Sequence, residues 1–196
     1  MKPILCLVAV GDKYTTYISP STKEFLEKEY RICLLTDNKS LNGFFDIEIY
    51  DKAEFTYFSK LNFPIEMALK HGCGVFYCDV NKLHELNELN VWYSNRFTYL
   101  REWPIATYFR EMENEPYWSQ LVSYWNDIYY DYGDLTTIEE HVYYFPYTLE
   151  LKCLLLTLRE VQPIFEQMSR ENTTPYNGIG NGEGLALAYA IDICKI

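Results

Sequence analysis

The 196-residue chain reads as an α/β protein, a mostly parallel central sheet flanked by helices. Three observations predict this. Short continuous apolar runs (Ile4–Val10, Arg31–Thr36 and Val75–Cys78) suit strands buried on both faces. Between them, apolar residues recur every three or four positions, the period of an amphipathic helix. The resulting order of strand, helix, strand, strand, helix, strand belongs to a sheet built through right-handed crossovers.

Each element has a local reason. Gly11-Asp12 punctuates the first run, and Ser19-Pro20 supplies an N-cap followed by proline at the first helical position. Ser21-x-x-Glu24 offers a capping box, and the short helix is expected to turn Phe25 and Leu26 inward. Arg31–Thr36 ends at Asp37-Asn38, and Asp46–Tyr50 alternates as a strand with one wet face would. Phe58, Leu61, Ile65, Ala68 and Leu69 form a helical stripe, with Pro64 marking a kink or a start and Gly72 a stop.

In the second half, residues 91–93, Arg96–Leu100 and Val142–Phe145 read as strands, and Trp118 to Tyr129 as a helical stripe. A long helix is predicted from Thr148 to Met168 with a bend at Pro163, and a closing helix from Glu183 to Cys194. No repeat or linker interrupts the chain, so one domain over residues 1–196 is expected.

Composition narrows the function classes. Hydrophobic residues form 48% of the chain, with 19 Tyr, 11 Phe and 4 Trp, which argues for a folded core. The net charge of −11 argues against general binding to nucleic acid or anionic membrane, so any phosphorylated ligand must be neutralised locally. Cys6, Cys33 and Cys78 sit in apolar runs as small buried hydrophobes, and the six cysteines show no C-x-x-C pairing. A reduced, cytoplasmic protein is expected. His71, His84 and His141 are far apart and lack zinc-ligand spacing to a cysteine. The first ten residues are too short for a signal peptide, and no apolar run reaches the length of a membrane span.

The most informative segment is Val75–Asn81. Asp79 and Asn81 follow an apolar run, and residues two apart on a strand project the same way. At the carboxyl end of a buried strand both would face the crevice where open α/β sheets bind ligands. Their oxygens suit a hard divalent cation. The same pattern also ends an ordinary strand in a turn. Lys60, heading the helix that feeds this strand, could meet an anionic ligand or simply be solvated. The loop Gly178-x-Gly180-x-Gly182 lacks both the preceding strand of a dinucleotide fingerprint and the Lys-Ser/Thr of a P-loop. It presents Glu183 at a helix start, where the dipole favours a carboxylate. The tyrosine clusters at Tyr129–Tyr132 and Tyr143–Tyr147 suit core edges or sugar stacking.

These pieces in this order resemble the nucleotide-diphospho-sugar transferases of the GT-A fold. The stretches are Leu7–Tyr14, Leu34–Asp37, Phe58–Leu61, Phe76–Asn81 and Gly182–Leu187, nearest in flavour to retaining blood-group-type and glycogenin-like enzymes. The resemblance implies transfer of a sugar from a nucleotide-sugar donor to a hydroxyl of a glycan, lipid-linked or protein acceptor. It implies Val10 and Tyr14 beside the base, Asp37 near base or ribose, and Lys60 on the donor. Asp79 and Asn81 would hold Mn2+ or Mg2+, and Glu183 would be the catalytic acidic residue that lies under the transferred sugar or contacts the acceptor. Asn81 stands where the motif has a second aspartate, which predicts weaker metal binding or none. The sequence ends soon after Glu183, before the further metal-ligating histidine and lid of many relatives. A nucleotide-sugar-binding module without turnover and a nucleotidyltransferase are the alternatives.

Overall fold

A computed structural model describes residues 2–41, 49–51, 58–89, 95–104, 136–138, 141–171 and 183–196. The strands are β1 (Ile4–Ala9), β2 (Arg31–Thr36), β3 (Ile49–Asp51), β4 (Val75–Asp79), β5 (Thr98–Tyr99), β6 (Glu102–Pro104), β7 (Thr136–Ile138) and β8 (Val142–Phe145). The helices are α1 (Asp12–Thr15), α2 (Pro20–Glu29), α3 (Ser59–His71), α4 (Leu151–Glu171) and α5 (Glu183–Cys194). The predicted strand over residues 91–93, the helical stripe at 118–129 and the glycine-rich loop lie outside the described residues.

The main sheet is open, in the order β3-β2-β1-β4-β8-β5, and β6 and β7 pair in a second, two-stranded sheet. The fold is α/β, but the sheet is mixed where a mostly parallel one was expected. β3, β2, β1 and β4 run parallel, whereas β8 pairs antiparallel with both β4 and β5. The parallel half follows from crossovers through α2 and α3. β8 enters beside β4 from the opposite end, which local periodicity does not reveal.

Strand alternation sorts the core into two layers. Cys6, Val8, Val75, Tyr77, Tyr143 and Phe145 face α3, α4 and α5, while Leu5, Leu7, Phe76, Cys78 and Val142 face Leu26 of α2 and the 3₁₀ turn over Leu83–Glu88. On α4 the stripe Leu151, Leu154, Leu158 and Val161 is buried, each worth roughly 1.5–3 kcal/mol.

Two helix ends show the local rules at work. Ser19 caps α2 through the Thr22 amide at 3.2 Å with Pro20 at the first position, so the cap is Ser19 and not a box at Ser21. Neighbouring helical residues point 100° apart, so α2 buries Leu26 and leaves Phe25 48% exposed, correcting the expectation for Phe25. Gly72 ends α3 in the left-handed region (φ 63°), donating to the Ala68 carbonyl. The expectation of six reduced thiols is also corrected. Cys153 of α4 and Cys194 of α5 form a disulfide (Cα–Cα 5.9 Å), while Cys6, Cys33, Cys73 and Cys78 are free. No helix among the described residues is long and apolar enough to cross a membrane.

Candidate functional site

The chain runs from β1 outward to β2 and β3, then returns to place β4 on the other side of β1. The strand order therefore reverses between β1 and β4. Loops leaving a sheet at such a switch point diverge to opposite faces, opening a crevice at the carboxyl ends. Val8 and Asp79 are register partners across that pair. A cleft opens there, enclosing about 410 Å³ out to its mouth and lined by Val8, Val10, Tyr14, Lys60, Asp79, Val80 and Asn81. Five of the seven residues singled out from sequence thus meet in one cleft. Asn81 arrives by a different route from the one expected: β4 stops at Asp79, and Asn81 reaches the cleft from the following turn.

Asp37 is not among the lining residues. Its carboxylate accepts the Gly11 amide (3.0 and 3.2 Å to its two oxygens), bracing the loop that carries Val10 and Tyr14. Gly11 has φ 83° and ψ 152°, a region open essentially to glycine, which lets its amide turn to Asp37. Lys13 lies over the Tyr14 ring at 5.5 Å, a cation–π contact at the cleft edge.

Electrostatics centre on Lys60. It is buried in the first turn of α3, where the helix dipole disfavours a cation. Two carboxylates offset this: Asp79 Oδ2 at 3.8 Å and Glu183 Oε1 at 3.4 Å from the ammonium. Glu183 is fully buried at the start of α5, whose dipole favours it, and meets the cleft through Lys60 without lining it. Asp79 Oδ1 accepts the Tyr77 hydroxyl at 2.5 Å. Burial pushes the Tyr77 phenol well above its ordinary range, and the neighbouring Asp79 charge adds to this. The phenol therefore stays a proton donor.

His141 was dismissed on sequence grounds, yet its Nε2 lies 3.9 Å from Asp79 Oδ2 and its carbonyl accepts the Asp79 amide at 2.8 Å. Antiparallel pairing of β8 with β4 brings it there from 62 positions further along the chain, a separation that carries no local cue.

The donors suit a cation only in part. Asp79 Oδ1 accepts from Tyr77 and Oδ2 lies near Lys60 and His141, so both carboxylate oxygens have partners, and Asn81 also lines the cleft. Among the described residues no group of three His, Cys, Asp or Glu is placed to hold a metal. Such a set fits a magnesium-type ion completed by a ligand's phosphates and not a closed protein cage.

Fold and cleft together define an α/β chain with an open cleft at a switch point, mixed in charge. No protein-family model matches the chain, and no curated protein matches it in sequence.

Proposed function

We propose that this cleft binds a nucleotide-activated sugar and that the chain transfers the sugar to an acceptor hydroxyl, on a GT-A-like fold. One observation carries the reading: Val10, Tyr14, Lys60, Asp79 and Asn81 line a single cleft at the switch point. Tyr14 offers a face for a base, and Lys60 a donor to phosphate oxygens. Asp79 and Asn81 would hold Mn2+ or Mg2+ when a diphosphate completes the coordination, and the ion would neutralise the departing nucleoside diphosphate. Lys60 and the Tyr14 ring would orient the donor.

A second reading, binding without turnover, is favoured by the burial of Glu183 behind Lys60, out of contact with the cleft. Titrating the protein with uridine and guanosine diphosphates, with and without Mn2+, tests both. Saturable binding abolished in Asp79→Ala is expected. No binding under any of these conditions refutes the proposal, and binding without donor consumption selects the second reading.

A further inference from the structure

We infer that Tyr77 and Tyr143 are positioning residues for the Lys60–Asp79 pair, and that Pro64 is what ties Tyr143 to it. The inference rests on the proposed reading of the cleft only for the ligand used in its test.

Tyr77 and Tyr143 lie directly opposite each other on β4 and β8. Both are fully buried, and their rings stack at 4.7 Å and 19°. A phenol inside an apolar layer needs a hydrogen-bond partner, so a fully buried tyrosine where phenylalanine would fill nearly the same volume points to its hydroxyl. Tyr77 shares a strand face with Asp79, two residues on, and donates to Oδ1 at 2.5 Å. That bond fixes the carboxylate with Oδ2 turned toward Lys60.

Tyr143 reaches the other partner. Its hydroxyl donates to the backbone carbonyl of Lys60. In a regular helix this carbonyl accepts the amide of the residue four positions on, but that residue is Pro64, which has no N–H. Proline opens the acceptor and Tyr143 fills it. One stacked unit thus holds the Asp79 carboxylate through one ring and the Lys60 backbone through the other. The ion pair at the cleft floor is set before any ligand arrives.

The test compares Tyr77→Phe, Tyr143→Phe, Pro64→Ala and Pro64→Ala/Tyr143→Phe. In each, the acetylation rate of Lys60 by acetic anhydride is read by mass spectrometry against the other lysines, and uridine diphosphate affinity is measured separately. Each Phe variant should raise the Lys60 rate about fivefold to tenfold while the other lysines keep theirs. Pro64→Ala should restore slow acetylation to Tyr143→Phe, because the introduced alanine supplies the missing amide, and should not rescue Tyr77→Phe. An unchanged Lys60 rate in both Phe variants, a rise shared by all lysines, or absence of the rescue overturns the inference. If Tyr143→Phe does not fold, Tyr77→Phe decides by the same reading. Expected Lys60 rates in a protein that binds neither uridine nor guanosine diphosphate, with or without Mn2+, would support the positioning roles while refuting the proposed ligand.

Discussion

Lys60→Met removes the ammonium facing both carboxylates while keeping an unbranched side chain as far as Cε. At an effective dielectric near 20, the contacts to Asp79 (3.8 Å) and Glu183 (3.4 Å) correspond to about 4 and about 5 kcal/mol of Coulomb attraction. Desolvating the three groups offsets most of that, so the measured loss should be nearer the 3–5 kcal/mol typical when one partner of a buried pair is deleted. Asp79 keeps partial access to solvent through the cleft, whereas Glu183 is fully buried, so most of the cost falls on Glu183. For a chain of this length the melting temperature should drop by roughly 6–20 °C.

The loss should also depend on pH. Without Lys60, the fully buried Glu183 carboxylate loses the ammonium 3.4 Å away, and burial disfavours its charged form. The deficit relative to wild type should be smallest in strong acid, where the carboxylate is protonated, and larger at neutral pH. Urea denaturation of wild type, Lys60→Met and Lys60→Met/Glu183→Gln at several pH values measures this. The double variant should recover part of the loss at neutral pH, because it removes the buried charge that faced the ammonium. A Lys60→Met protein within about 1 kcal/mol of wild type at all pH values would refute the reasoning, since no buried charge would then depend on the ammonium.

Glu85 gives a prediction of opposite sign. Its hydrogen bond from Lys82 (2.8 Å) holds its carboxyl below the ordinary 4.5 against the opposing effect of burial, with the charges of Arg101 and His84 assisting. A depressed folded value means stability present above pH 4.5 and lost as pH falls through that folded value. Glu85→Gln should therefore cost about 1 kcal/mol at neutral pH, limited by solvent screening at the exposed partners, and nothing in strong acid; chemical denaturation at both pH values checks it. The Cys153–Cys194 bridge spans 41 positions, so reduction should remove at most about 4 kcal/mol and lower the melting temperature by roughly 8–16 °C. Thermal melts with and without a phosphine reductant, using Cys194→Ala as the insensitive control, measure this, and an equal melting temperature in both conditions counts against the bridge.

Much of the sheet was legible because its strands are apolar runs bounded by turn residues. β2 and β8 begin and end where the sequence put them, and α5 begins at Glu183 as predicted. What was missed lies between elements distant in sequence. Phe25 and Leu26 were both assigned inward although adjacent helical residues cannot share one narrow face. His141 and Tyr143 reach Asp79 and Lys60 only through the antiparallel docking of β8, and Cys153 meets Cys194 only through the packing of α4 on α5. Pro64 is the instructive case. Read locally it breaks a helix, yet α3 runs through it, because the Lys60 carbonyl it orphans finds a partner 83 positions away in sequence.

The cleft's own charges bear on how it can hold a phosphate. Among the described residues, Lys60 carries one positive charge between two carboxylates, so these three groups sum to a negative charge in a protein already at −11. A diphosphate arriving there meets repulsion unless a cation or a proton comes with it. If binding requires Mn2+, the ion supplies the missing charge and Lys60 serves mainly to hold Asp79 and Glu183 in place. If binding proceeds without metal, Lys60 must swing from the carboxylates to the phosphates, leaving Glu183 buried beside less positive charge, and a proton should be taken up with the ligand. Calorimetry in buffers of different ionisation enthalpy separates the two, since proton uptake makes the observed heat depend on the buffer.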